Sequence, residues 1–382
     1  MRFFVEFGFQ NNLDSREITL SELFAGLPDP RSRSGRRHPL EEVLLIAVLA
    51  VICGADDWAS VEDYGKMQEG FLRQFIEMPH GPPSDDTFRR VFMALDPVAF
   101  EEVFLVWTKE LAGKMGLDII SIDGKTARRS YQSSDSPHTA LHLVSAWSAS
   151  NRLVLGQVSV DGKGNEITAI PKLLGLLDLS EAVVTIDGIG CQRKIAEQIV
   201  KQEGDYILAV KENQSELLEE IKALMKTLPA DSEDLMENTG HGRIETRKCK
   251  VIRRVDLLDG PEKWSGLNSI IQIEATREVK KVKSTETRYY ISSLRVGANT
   301  FNHAVKMHWG VENSLHWVLD MVFREDACRK RMEHSAQNFA LIRKFALNLL
   351  KLDPNKRLGI KNKRLKAGWS QEYLLNVIMN GE

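Results

Sequence analysis

The sequence predicts an α/β protein: a helical first third, then a sheet with helices on its faces, with an antiparallel β insertion in its later part. Three observations predict this. Apolar residues recur at helical spacing up to about residue 114. From 117 onward, short strand-like runs alternate with helical ones. After 230 the texture shifts to alternating and β-branched segments.

In the first third, Pro39 precedes Glu41-Glu42 and an apolar run, so acidic residues occupy a first turn, as the helix dipole favours. The break Gly81-Pro82-Pro83 leads into Ser84, a good N-cap, and then Asp85 to Phe92. A further helix is expected from Ala99 to Lys114, with Asp96-Pro97 at its start. Strands are expected at 118–123, 140–147, 152–160, 182–187 and 205–211, and helices at 166–177, 191–203 and 214–227. His241 to Leu258, Asn268 to Val279 and Arg288 to Ser293 read as insertion strands. A helical pattern resumes at Phe301 and continues to about Val322. Another covers Ser335 to Leu352, with Phe339, Ile342, Ala346, Leu349 and Leu350 on one face. The chain thus divides into a helical domain (1–114), a sheet domain (115–352, insertion at about 232–298) and a basic tail (353–382).

At 382 residues, two or three domains are expected. Apolar content of 43% and charged content of 27% are those of an ordinary globular protein. A net charge of −2 argues against a uniformly basic coat protein and leaves room for local basic patches. Arg31 to Arg37, Lys280 to Lys283 and Lys361 to Lys366 are such clusters, each readable as a nucleic-acid patch or as a solvated face. Cys53, Cys191, Cys249 and Cys328 form no Cys-x-x-Cys pair, which points away from a zinc knuckle and towards reduced thiols in a cytoplasm. The longest apolar run, Val43 to Cys53, is far short of the ~20 residues that span a bilayer. The N-terminus lacks the basic-then-apolar order of a signal peptide.

Three acids then stand out. Asp123 ends the run from Asp118 and precedes Gly124-Lys125; Asp187 ends Val183 to Ile186 and precedes Gly188. Both read as carboxylates at the ends of buried strands, or as ordinary turn residues. Glu312 lies in the helical run His308 to Trp317, where His308, Glu312, His316 and Asp320 recur every four residues. Carboxylate oxygens suit hard ions such as magnesium, and a pair of such ions can drive in-line displacement at a phosphodiester. The histidine spacing is not the zinc-protease signature, so His308 and His316 read as buried histidines or as partners of a carboxylate or phosphate. Basic residues cluster near the acids: Lys125, Arg128 and Arg129 after the first, and Lys211 at a strand end. Polyanion binding would explain them. Arg243, Glu245 and Arg247 alternate onto one strand face, either a DNA-facing ribbon or a solvated surface.

With these residues the chain resembles the DDE transposases, whose order of strand-Asp, strand-Asp and helix-Glu belongs to a ribonuclease-H-like fold. It is closer still to one insertion-sequence group, the ISAs-one type, which includes the H-repeat-associated proteins. The matching stretches are Leu27 to Arg31, Arg36 to Pro39, Pro83 to Phe88, Ile122 to Lys125, Gly204 to Tyr206, His241 to Arg247, and His308 to Asn313 onward to Asp320. The resemblance implies a helical N-terminal domain, a catalytic domain with a β insertion after the second Asp, and a homodimer or larger assembly on transposon ends. It implies that Asp123, Asp187 and Glu312 form the triad and hold two magnesium ions, with manganese as an alternative. The reaction implied is cleavage of double-stranded DNA at transposon ends followed by strand transfer, in a bacterial cytoplasm at the nucleoid. Two rival readings stand beside it: a catalytically inactive, transposase-derived DNA-binding protein, and a plain metal-dependent nuclease. The family often has His where this chain has Asp85, and Ala where it has Gly188. The Tyr-Arg-Glu-Lys signature of some transposases is incomplete, since Val305 and His308 precede Glu312 and Leu319 follows it at the relevant spacings. Its phosphate-contacting roles are therefore not carried over, and His308 and His316 are the substitutes that helical geometry offers.

Overall fold

The computed structural model describes residues 19–112, 119–130, 140–160, 165–240 and 243–379. Lys114, Asp118 and His241, which carry expectations above, lie outside the described residues. The first third holds α1 (Leu20–Ala25), α2 (Leu40–Ile52), α3 (Trp58–Met67), α4 (Glu69–Leu72), α5 (Asp85–Ala94) and α6 (Pro97–Ala112). Ser84 caps α5 as expected, its side chain accepting from the Thr87 N–H at 3.3 Å. α2 is buried along almost its whole length because it is apolar on all sides.

The sheet begins with β1 (Ile119–Thr126), β2 (His142–Ser148) and β3 (Leu153–Ser159), an antiparallel meander. α7 (Glu166–Leu176) leads to β4 (Val183–Ile186), α8 (Arg193–Lys201) to β5 (Asp205–Val210), and α9 (Ser215–Thr227) follows. β4 pairs parallel with β1, and β5 parallel with β4. Three antiparallel strands followed by two parallel ones form the ribonuclease-H-like sheet that the resemblance implied.

The β insertion does not stand apart from this sheet. Its strands β6 (Ser232–Gly240), β7 (Arg243–Ile252), β8 (Ser269–Val279) and β9 (Val282–Ser292) continue it, with β9 antiparallel to β5. Among the described residues the result is one nine-stranded sheet in the order β3-β2-β1-β4-β5-β9-β8-β7-β6. Four strands differ from expectation. β1 does not end at Asp123 but runs to Thr126, because Asp123 to Thr126 keep pairing with β2. β7 stops at Ile252, six residues before Leu258, and the chain turns at Val255–Leu257. β6 was not anticipated, because Ser232–Gly240 is polar and lacks β-branched side chains apart from Thr239. It is an edge strand whose ladder is supplied by β7, and such pairing overrides weak propensity. β9 starts at Val282, six residues before the expected start, because its charged first half pairs with β8 across a tight turn.

Each face of the sheet is covered. Ile120, Ile122, Val144, Val184, Ile186 and Leu208 pack with α7, α8 and α9. Each such side chain removed from water contributes about 1.5–3 kcal/mol. On the other face, Val183, Ile207, Ile271 and Tyr290 meet α10 (Ala298–Val311) through Phe301, Ala304 and Val305. A single π turn, Glu312–His316, joins α10 to α11 (Trp317–Met321).

α12 (Ser335–Leu352) was expected to have one apolar face, and instead is buried on nearly every side. Several of its polar groups find partners inside, while Asn338 Oδ1 and Arg343 Nη2 are buried with no partner among the described residues. Asn338 donates to the Phe92 and Leu95 carbonyls, each at 2.9 Å, and Asn348 pairs with both backbone groups of Val154 at 2.8 and 2.9 Å. α12 thereby ties α5 to the sheet. The C-terminal segment carries α13 (Ile360–Trp369) and α14 (Gln371–Met379). Two members of its basic cluster are buried: Lys363 donates to the Leu350 carbonyl at 3.0 Å, and Arg364 to the Val51 carbonyl at 2.8 Å. Both carbonyls lie in last turns of helices, where cations are favoured. Among the described residues no helix is long and apolar enough to cross a membrane. The four cysteines are free, and burial pushes the Cys53, Cys191 and Cys249 thiols up to about 12.

Candidate active site

Alternation along β1 sends Ile120 and Ile122 to the α7–α8 face, and Ser121, Asp123 and Lys125 to the face covered by α10 and α11. The parallel register pairs Ile122 with Ile186. Asp123 and Asp187 are therefore the next residues on adjoining strands, whose backbones stand about 4.8 Å apart. Sequence separation of 64 positions is erased by one register.

The Glu312 helix lies across this point. A four-residue spacing overshoots the α-helical turn by about 40° at each step. The π turn at Glu312–His316 counters that drift, and π turns occur often at functional sites. The whole stripe consequently meets the sheet. The His308 Nδ1 lies 3.0 Å from Thr185 Oγ1, the His316 Nε2 lies 2.9 Å from Asp123 Oδ2, and Lys125 Nζ donates to Asp320 Oδ1 at 2.6 Å. Glu312 is exposed, and Asp123, Glu312 and His316 each offer a ligand atom within 4.8 Å of the others. Two carboxylates and an imidazole are a donor set that fits a divalent cation.

Asp187 stands beside this group and not in it. Its Oδ1 accepts from the Ile189 N–H at 3.1 Å, and its Oδ2 lies 3.6 Å from Lys211 Nζ. Lys211 comes this close because residue 188 is glycine: a Cβ there would stand 2.5 Å from Lys211 Cδ. Asp187 also borders a cleft of about 330 Å³ between β5, β9 and α10, with Lys211, Arg288, His308 and Trp309 in its wall. Burial holds His308 below the usual histidine range, although Asp123 and Asp187 pull the other way, so His308 is neutral at pH 7.

The basic residues singled out by sequence have different fates. Lys125 is enclosed by acids: besides Asp320 it contacts Glu325 Oε2 at 2.7 Å and Asp326 Oδ1 at 3.5 Å. Burial alone would lower Lys125, but Glu325 and Asp320 outweigh it and hold the ammonium above its ordinary value. Glu325 is fully buried, which pushes it up, yet Lys125, Arg343 and Lys344 hold its carboxyl below the usual range. Arg128 is exposed with its guanidinium 3.4 Å from Asp326, and Arg129 is exposed. Arg243 is exposed at the far end of β7, paired with Glu245 at 3.1 Å. Arg247 is half-buried on the α10 side of the sheet, and burial lowers its pKa. Sequence reading missed Thr185, Glu325 and Asp326. Glu325 and Asp326 carried no local signal, since they sit between Arg324 and the basic stretch Arg329 to Arg331.

Comparison with known proteins identifies the family. A family model described as "Transposase DDE domain" matches residues 114–349, and one described as "DDE_Tnp_1-associated" matches residues 21–108. The chain is 39% identical over 370 residues to "Putative transposase YncI" of Escherichia coli O157:H7, which spans 94% of each chain. It is 39% identical over 368 residues to "H repeat-associated putative transposase YhhI" of Escherichia coli strain K12, covering 94% of this chain and 97% of that one. Among solved structures it is similar to a piggyBac transposase synaptic complex with hairpin DNA, with a TM-score of 0.40, 12% identity, and coverage of 95% and 80%. With a family match over most of its length and relatives covered almost in full, the chain belongs to the transposase DDE domain family.

Proposed function

We propose that the protein is a metal-dependent transposase that cuts double-stranded DNA at transposon ends and joins the freed 3′ end to target DNA. The observation that carries this is the meeting of Asp123, Glu312 and His316 in the second half of β1, with Asp187 one position beyond the paired register of β4. Asp123, Asp187 and Glu312 are the proposed ligands of two magnesium ions, with manganese as an alternative. Bound there, such ions supply a nucleophile at neutral pH and neutralise the attacking and leaving oxygens of an in-line displacement.

The chain's own residues supply position. The Gly124 N–H donates to Asp123 Oδ1 at 3.0 Å while His316 engages Oδ2, so the carboxylate has one orientation. Lys211, Arg128, Arg129 and Arg243 are exposed and offer charge to DNA phosphates, which fixes DNA without reading bases. Lys125, Arg247, His308 and His316 are partly or largely enclosed and support the centre from within. Assembly as a dimer or larger oligomer on DNA, in the cytoplasm at the nucleoid, belongs to the same proposal.

Incubation with magnesium and DNA bearing the element's own ends tests it, comparing wild type with Asp187→Asn. Joined product that is lost in the variant supports the transposase. Nicked product without joining makes it a nuclease, and bound, uncut DNA makes it an inactive derivative.

A further inference from the structure

We infer that His316 is itself a metal ligand, so that one cation site is a mixed nitrogen and oxygen site made by Asp123, Glu312 and His316. This rests on the reading of the centre as metal-dependent. Two donors in neighbouring positions on an octahedral ion with bonds of about 2.1 Å stand about 3 Å apart. The His316 Nε2 and Asp123 Oδ2 are 2.9 Å apart, which is that spacing. Glu312 supplies a third donor within the same 4.8 Å group, from the first residue of the π turn that His316 ends.

Two further observations point the imidazole at a ligand. The His316 side chain is 6% exposed, and its Nε2 is the atom aimed at the carboxylates. The contact to the carboxylate puts a proton on Nε2, and the Nδ1, buried with no partner among the described residues, is free to take that proton when a cation enters. With the ring proton on Nδ1, the Nε2 lone pair is free to coordinate. Asp187 lies outside the group, which assigns it to the other cation position, with Asp123 between the two. An imidazole donor shifts preference from magnesium, a hard ion that takes oxygen, towards manganese and other borderline divalent cations.

Manganese binding to the full chain, read by electron paramagnetic resonance, tests this without any DNA reaction. Pulsed measurement reports nitrogen-14 coupling when a histidine nitrogen is a ligand. Coupling is expected in wild type and in His308→Gln, and its loss in His316→Ala and in the better-filling His316→Gln. The manganese dissociation constant of His316→Ala is expected to rise at least about tenfold. Bound manganese without nitrogen coupling in wild type overturns the inference, as does coupling that persists in His316→Gln. If that result comes with manganese binding that Asp123→Asn abolishes, the metal-dependent reading stands and only the role of His316 falls. Wild type that binds no manganese sinks both.

Discussion

The His316 imidazole and the Asp123 carboxylate, 193 positions apart, are joined at 2.9 Å, and this contact sets the Glu312 helix against β1. A second link two residues further along β1, from Lys125 to Asp320, holds the same helix. The candidate centre therefore rests on a clamp between one strand and one helix.

Charge-to-amide replacements at the acids are expected to keep the fold and remove the chemistry. Asp123→Asn, Asp187→Asn and Glu312→Gln should each lower end cleavage by roughly a hundredfold or more, since metal stabilisation of the transition state contributes several kcal/mol. Rates measured beside unchanged thermal melts check this; wild-type cleavage by any of the three removes that residue from the centre.

Lys125 is expected to matter for stability more than for DNA. In Lys125→Met, Glu325 would remain as a buried charge short of its nearest cation, which costs about 3–5 kcal/mol. Denaturant unfolding of the two proteins reads the difference, and a loss below about 1 kcal/mol contradicts the enclosed-pair account.

Lys211 makes the contrasting case. It is half-exposed, and its ion pair among the described residues is a 3.6 Å contact to Asp187. Lys211→Ala is expected to weaken binding to all DNA sequences alike and to flatten the slope of log affinity against log salt by about 0.9. An unchanged slope assigns Lys211 to the protein interior instead.

His308 gives stability a pH dependence of known sign. Its folded pKa lies below the ordinary 6.5 of the unfolded chain. Above about 6.5 both states are neutral and its contribution is whole. As pH falls below that value, the unfolded chain takes up a proton that the folded chain refuses, and stability drops by at most ~1.4 kcal/mol per pH unit. Unfolding at pH 7.5 and 5.5 should show a shallower loss in His308→Gln than in wild type. Equal slopes would show that His308 titrates alike in both states.

The gap between sequence and structure has a consistent cause. Core strands and helices were legible because period and capping are local: β4, expected at 182–187, spans Val183–Ile186, and α9, expected at 214–227, spans Ser215–Thr227. β6 was illegible because an edge strand takes its order from its neighbour and not from its own residues. Likewise α12 showed one apolar stripe, and its Asn338, Lys344 and Asn348 gave no sign of burial, since their partners are far away in sequence.

By itself the sequence set Asp187 at a strand end before glycine, put Asp123 on a strand that it ended three residues too early, and put Glu312 on a later helix. Backbone sterics and the alternation of strand side chains suffice for that. The tertiary structure decided which of them meet. Register β1–β4 set Asp123 beside Asp187, the π turn carried Glu312 and His316 to Asp123, and Gly188 let Lys211 approach Asp187. It also enclosed Lys125 among Asp320, Glu325 and Asp326, about 200 positions away. Such pairings depend on how sheet and helices dock to bury their apolar faces, a choice made by the whole chain and written in no single segment of it.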